Sequence, residues 1–586
     1  MVTYTQTLAE QQIHNLLASH FEGEKIVIQA VPEGESGNLA VPVFAVAKRQ
    51  ATSPRLVAEE LAVQIDLTKT LFSQVEAAGN GFLNFTFNTS VFATQVFADF
   101  AREGDHYGQP LAVQPERVVI DYSSPNIAKP MHVGHIRSTL IGDALTRLYT
   151  FIGHTVIRQN HLGDWGTQFG ELIEHMLETG VSVDQDITMD EVEKLYQTAK
   201  QRFDEDDDFK ERARGRVVKL QAGDLETQQY WEYLFKESML AFNMIYQRLG
   251  VLLTDTDLRG ESTYNDQLSD IVNFFKEKGL VRESDGAQCL FLQDYTDPAT
   301  GQPYRYEAPM ILQKKDGAYN YATTDLATLR SSLLNDHATH LIYVVDVRQS
   351  DHFAMLFAAA RLVGWLDQVR AVHVAFGTIL GEDKKPFKTR SGGTVKLVDL
   401  LDEAEKRAGE LIAKKLADRE ETMAPTEQAQ LAHTIGIGAL KYGDLANVRT
   451  QDYVFSWERM ISFDGNTAPY LQYAVVRINS LIAKAGEAVG TIDAELLIEP
   501  QEQALLRALA TFPIVLTRAS DDYRLDHITT YLFDLAQTFT AFYDAVPVIK
   551  SSTEELKVTR LALARFTSQV LSRGLELLGI EVPARM

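Results

Sequence analysis

Fifteen residues, Asp121 to His135 (DYSSPNIAKPMHVGH), gather the side chains best suited to phosphate chemistry in this chain. His132 and His135 are three apart, so near a helix start both rings can face one ligand. Imidazole N–H groups stabilise the charge that develops on an α-phosphate under attack. A helix N-terminus adds free backbone N–H groups and a positive dipole end. Pro130 suits the position before a helix, and Gly134 leaves room for a flat ring near the backbone. Two histidines at this spacing also cap helices or bind stray metal. No convincing third ligand lies nearby to complete a zinc set, so no metal site is expected. A strand, a Pro-Asn break, Lys129, the paired histidines and a long amphipathic helix together are far more specific than the histidines alone.

A second cationic group follows the strand-like run 372–380. Lys384, Lys385, Lys388 and Arg390 stand beside Gly392 and Gly393, which suits a mobile lid for a triphosphate; a solvated basic loop is the plainer alternative. Asp204 to Asp208 reads as a solvated helix start rather than a cation site. Lys210, Arg212, Arg214, Arg216 and Lys219 then either touch RNA or pair with those acids. Trp231 to Phe235 reads as core, and Cys289 as an ordinary strand residue.

These groups need elements to hold them. Arg117 to Asp121 is a short apolar strand, and Ile136, Leu140, Ile141, Ala144, Leu145 and Leu148 give the following helix one buried face. Further strands are expected at Thr155–Gln159, 341–345 and 372–376. Strands alternating with helices predict an α/β fold with a doubly wound parallel sheet, Rossmann-like. Such a sheet binds ligands at the carboxyl ends of its strands. A mostly helical insertion spans about 176–300. Three domains are expected: an α+β unit at 1–112, the sheet domain at 113–455 and an all-α bundle at 456–586. The first has strand-like runs at 25–29, 41–47 and 81–87.

Composition limits the function classes. The 586 residues carry 56 Lys and Arg against 80 Asp and Glu, a net charge of −24. That excludes a generic polycation for nucleic acid or anionic membrane. Residues 1–110 hold 6 basic and 12 acidic residues and 456–586 hold 12 and 16, so neither end is basic overall. Any nucleic acid must be held on selected strips, with strong salt dependence. One cysteine rules out an internal disulfide framework. The first residues lack the features of a signal peptide, and 354–366 is too short and charged for a membrane span. The expectation is a cytoplasmic protein.

The motif His132-Val-Gly-His135 resembles the HIGH signature of class I aminoacyl-tRNA synthetases, and its context SSPNIAKPMHVGHIRST resembles the arginyl-tRNA synthetase family. Blocks at 160–170, 260–262, 313–317, 321–325, 465–473 and 578–586 match that family in order, so the resemblance covers nearly the whole chain. It implies ATP-dependent attachment of L-arginine to tRNA(Arg) through an arginyl-adenylate, with Mg²⁺ accompanying ATP, in a monomer. Another class I synthetase or a non-catalytic tRNA-binding paralogue is the alternative.

The resemblance also implies roles for residues. His132, His135, Lys129, Lys388 and Arg390 serve catalysis. Pro125, Met131, His132, Gly134, His135, Lys384 and Lys385 line the ATP site. The basic loop departs from the family's KMSKS pattern, and Lys129 stands where a lysine is thought to substitute for it. A guanidinium pocket needs carboxylates. Tyr321 and Asp325, helped by Asp121, are assigned to that group. Asn126 and Gln349 take the α-amino and carboxylate end, with Ser123 and His135 beside them. The bundle binds the anticodon arm, where Tyr470, Tyr473 and Arg477 are the implied contacts, although tyrosines packed between helices are an equal reading. The first domain contacts the tRNA elbow. Adenylate formation is expected to require bound tRNA.

Overall fold

The computed structural model describes residues 3–32, 34–109, 114–185, 187–388, 394–486 and 490–586. Its N-terminal unit is an antiparallel sheet of β1 (Gln29–Ala30), β2 (Leu39–Pro42), β3 (Phe72–Ala78) and β4 (Phe82–Phe87), in the order β1-β2-β4-β3. The run 41–47 is not one strand. The chain leaves the sheet at Pro42, which has no N–H to extend the ladder, and enters the helix Phe44–Arg49. Of 25–29, only Gln29 pairs. This unit docks on the C-terminal bundle: Phe100 stacks on Phe566 with centroids 3.9 Å apart, and the Tyr107 hydroxyl donates to the Leu509 carbonyl at 3.2 Å.

The central sheet begins with β5 (Arg117–Asp121) and β6 (Thr155–Gln159). An insertion follows. It holds the helices Met189–Glu205, Asp207–Gln221 and Leu225–Leu249, then a small antiparallel sheet of β7 (Val281–Ser284), β8 (Ala287–Leu290) and β9 (Met310–Gln313). A strand was expected at Cys289, but not a sheet of three; the strands have four residues each, too few to establish a period. Cys289 lies buried in β8. The chain returns through β10 (His340–Tyr343) and β11 (Arg370–His373), completing a parallel sheet in the order β11-β10-β5-β6. From β5 the crossover helix Val133–Phe151 leads to β6 on one side, while β10 pairs on the other, with Tyr343 opposite Asp121. The loops leaving these two strands therefore part at their carboxyl ends, and a crevice opens there.

The crossover helix buries the apolar face its periodicity predicts, and most of its other face too. Arg137, only 1% exposed, forms an ion pair with Asp444 at 3.0 Å and donates to the Gly377 carbonyl at 2.8 Å. Asp444 belongs to the helix Pro425–Leu445, so this buried pair ties the sheet domain to the helical half. The helices Ala468–Ala485, Pro500–Ala510, Phe512–Asp522, Asp526–Ala545 and Glu554–Leu577 complete that half. Among the described residues no helix is long and apolar enough to cross a membrane.

Candidate active site

The two histidines lock each other at the start of the crossover helix. His132 is its N-cap: its Nδ1 accepts from the Gly134 N–H at 3.0 Å, and its own N–H donates to Nδ1 of His135 at 3.0 Å. With both Nδ1 atoms accepting, each neutral ring carries its proton on Nε2. The rings lie 4.0 Å apart. Burial lowers the His132 pKa. Burial first, then the neighbouring His132, pushes His135 down to about 3. Near neutrality the pair therefore presents two uncharged N–H donors. A Cβ on Gly134 would meet the His132 ring at 2.8 Å. The glycine thus makes room for the histidine that caps the helix.

The loop from β5 to this helix turns sharply, with left-handed backbone at Ser123, Ser124 and Ala128. Asn126 is exposed and packs on Gly163, where any Cβ would lie 2.0 Å from Asn Oδ1. Pro125 and Met131 are buried. Their carbonyls accept from Gly163 at 3.2 Å and from Leu397 at 2.9 Å. Ser123 is also buried, 3% exposed. Its hydroxyl bonds Tyr246 at 2.8 Å and accepts from Thr139 at 3.0 Å. These bonds hold the loop to the helices Val133–Phe151 and Leu225–Leu249. Lys129 is half-buried, with Nζ 4.6 Å from the centre of the Tyr196 ring.

The residues that follow the second basic loop reach the same place. His132 pairs with Lys396, and the Val133 N–H donates to the Val395 carbonyl at 2.9 Å, so the far end of the loop is anchored at the histidines. Lys384, Lys385 and Lys388 are exposed; Arg390 lies outside the described residues. Among the described residues, no group of three or more His, Cys, Asp or Glu side chains is placed to hold a metal ion.

Across the crevice stands a group of carboxylates. Asp121, at the end of β5, accepts from the Ser124 hydroxyl at 3.0 Å, and burial pushes its carboxyl up. Glu261 is raised to about 7, by burial first and then by Asp164 and Asp325, with His161 opposing them. Asp164 is held by the Ser262 N–H at 2.9 Å and the Ser262 hydroxyl at 2.6 Å. Tyr321 and Asp325 share a face of the helix Tyr321–Leu334, as their spacing predicts, and both meet His352. Asp325 lies 2.5 Å from His352 Nε2, and the Tyr321 ring sits 4.8 Å from the His352 ring. Gln349 is exposed just before the helix Ser350–Leu362 that carries His352. Several carboxylates that feel one another's charge form an acidic bowl that suits a cation with many donors.

The sequence alone did not single out Glu261 or His352 as site residues. Glu261 lies in the block 260–262 used for the resemblance, but an isolated glutamate carries no local sign of burial. His352 sits three residues beyond Gln349, a spacing that gains meaning only once the helix is known. The cationic cluster of the insertion resolves partly into structure. Arg212 pairs with Glu174 at 3.3 Å, Arg216 with Glu174 at 2.9 Å, and Asp206 caps the helix Asp207–Gln221.

In the bundle, Tyr473 faces a cavity lined by Lys415, Phe463 and the last residue, Met586. Lys415 Nζ lies 3.2 Å from the Phe463 ring centre and 5.7 Å from that of Tyr473. Tyr470 packs on Phe533 at 5.6 Å, and Arg477 lies over the Tyr543 ring at 4.5 Å. The three residues implied for tRNA thus divide: Tyr473 borders an open cavity, while Tyr470 and Arg477 pack against helix Asp526–Ala545.

The chain matches three family models: the arginyl tRNA synthetase N-terminal domain over 4–87, the class I tRNA synthetase (R) catalytic domain over 100–457, and the DALR anticodon binding domain over 471–586. It is 43% identical to an arginine–tRNA ligase of Thermobifida fusca, covering 99% of both chains. It is 46% identical to one from Frankia casuarinae, covering 93% of this chain and 92% of the other. Among solved structures it resembles the arginyl-tRNA synthetase of Plasmodium falciparum, with a TM-score of 0.82, 26% identity and full coverage of both chains.

Proposed function

The chain belongs to the class I arginyl-tRNA synthetases, and from that membership we propose how its own residues attach arginine to tRNA(Arg) at the expense of ATP. The observation that carries this reading is the reciprocal histidine cap opposite an acidic bowl at the switch point of the sheet.

Arginine lies across the crevice with its guanidinium among Glu261, Asp325, Asp121 and Tyr321. Asn126 and Gln349 hold its α-amino and carboxylate end. One carboxylate oxygen of arginine attacks the α-phosphorus of ATP; the bond to the β-phosphate oxygen breaks, and pyrophosphate leaves. His132 and His135 donate from Nε2 to the oxygens that gain charge, a role that needs no proton transfer and suits neutral rings. Lys129 and the exposed lysines 384, 385 and 388 hold the phosphates as point charges. The 3′-terminal ribose hydroxyl of tRNA then attacks the arginyl carbonyl, and AMP departs. No side chain becomes covalently bound; the work is positioning and charge stabilisation. Mg²⁺ would accompany ATP and offset the charge of its phosphates, and we assign it no ligand in the protein.

Tyr473 and the cavity beside Met586 receive the anticodon arm, supported by the match to the anticodon-binding model. By family membership we propose that the enzyme works as a monomer in the cytoplasm, that its domains follow the limits 1–112, 113–455 and 456–586, and that adenylate formation requires bound tRNA. The test is ATP–pyrophosphate exchange with and without tRNA(Arg). The reading expects arginine-dependent exchange that appears with tRNA. No arginine-dependent exchange even with tRNA(Arg) would overturn it.

A further inference from the structure

His352 is absent from the mechanism above, yet it touches both residues at the far end of the bowl. Its Nε2 lies 2.5 Å from Asp325 Oδ2, and its ring meets Tyr321 edge-on, with centroids 4.8 Å apart. The three side chains come from two helices: Tyr321 and Asp325 from Tyr321–Leu334, and His352 from Ser350–Leu362. His352 is mostly buried, with 13% of its side chain exposed, while Asp325 keeps 28%. The histidine thus stands behind the carboxylate and leaves it accessible.

We propose that His352 is a positioning residue for arginine selection: its Nε2–H pins one Asp325 oxygen, and its ring braces Tyr321. This rests on the reading that Asp325 and Tyr321 hold the guanidinium. Each carboxylate oxygen has two lone pairs. One bond from His352 to Oδ2 therefore leaves acceptor sites on both oxygens for the two parallel N–H groups of a guanidinium. Without the histidine, Asp325 rotates about two side-chain bonds, and that freedom must be lost when arginine binds. With it, the carboxylate is fixed beforehand, and the flat side chain of arginine finds a flat partner. Lysine, with a point-charge ammonium, gains little from a fixed plane. The device therefore favours arginine over other cationic amino acids.

The expected effect is on arginine binding and not on the chemical step. His352→Leu should raise the KM for arginine roughly thirty-fold, the size of one lost charge-assisted hydrogen bond. It should leave the KM for ATP and kcat within about threefold. His352→Gln places an amide N–H near the Nε2 position and should restore most of the affinity, while His352→Asn, too short, should not. The measurement is arginine-dependent exchange with tRNA(Arg) present, with Asp325→Asn assayed alongside. An unchanged arginine KM in Asp325→Asn overturns the underlying reading of the guanidinium site. A raised KM there beside an unchanged KM in His352→Leu overturns the role of His352 alone. Equal loss of arginine and ATP affinity in every variant shows a merely structural histidine and also overturns it. Should His352→Leu fail to fold, the contrast between Gln and Asn decides. Equal KM values for the two refute the donor role.

Discussion

Glu261 offers the sharpest test of the acidic bowl, because its charge state is linked to arginine binding. In the free enzyme burial and the carboxylates of Asp164 and Asp325 raise it to about 7. A bound guanidinium reverses the balance and favours the carboxylate. Arginine therefore binds the ionised form, and affinity present above this value is lost as pH falls through it. With a free-state value of about 7, the apparent Kd scales as 1 + 10^(7 − pH). It should be about doubled at pH 7, and about tenfold weaker at pH 6 than at pH 8. At pH 7 binding should release about half a proton per arginine. Calorimetric titration of the enzyme with arginine, in buffers of different ionisation heat, reads both quantities. Glu261→Gln should remove the slope between pH 6 and 8 and weaken binding by about 2 kcal/mol at pH 8, roughly thirty-fold. An affinity flat over this range would refute the reasoning. A slope that survives in Glu261→Gln would assign the titration to another group.

Other consequences are simpler to measure. His135→Ala should slow adenylate formation about 10²- to 10³-fold in single turnover, the usual loss for one donor at a charge-developing centre; a normal rate would remove it from the chemistry. Gly134→Ala should push the His132 ring off its cap, lowering both exchange activity and helix stability by about 1 kcal/mol, as read by exchange assay and chemical denaturation. Arg137→Met leaves Asp444 buried and unpaired, so unfolding should become easier by about 3–5 kcal/mol, and a denaturant melt within 1 kcal/mol of the parent would contradict that. The affinity for tRNA(Arg) should fall steeply and linearly in log–log form as salt rises, since a net charge of −24 leaves only local basic strips to hold it.

The parts of the site that are local in the chain were legible before any fold was known. The strand Arg117–Asp121, the break after it, the two histidines and the apolar face of the following helix lie within 35 residues, and each obeys a short-range rule of periodicity or capping. The pairing of Tyr321 with Asp325 was legible for the same reason, being one helical turn. Where local signals misled, a short element was involved. The run 41–47 is apolar enough for a strand, but Pro42 ends the ladder and the rest coils into a helix. The second basic loop was legible as charge, although Arg390 lies outside the described residues.

What surrounds these local parts depends on the fold. Glu261 becomes a titrating carboxylate because chain segments around Asp164 and Asp325, some 100 and 64 residues away, enclose it and repel its charge. His352 meets Asp325 and Tyr321 because the helices Ser350–Leu362 and Tyr321–Leu334 come side by side. Ser123 meets Tyr246, from a distant inserted helix, only because the fold brings the two together. Burial, field and hydrogen-bond partnership are properties of neighbours in space. A single carboxylate or imidazole has no period by which its future neighbours can be read along the chain.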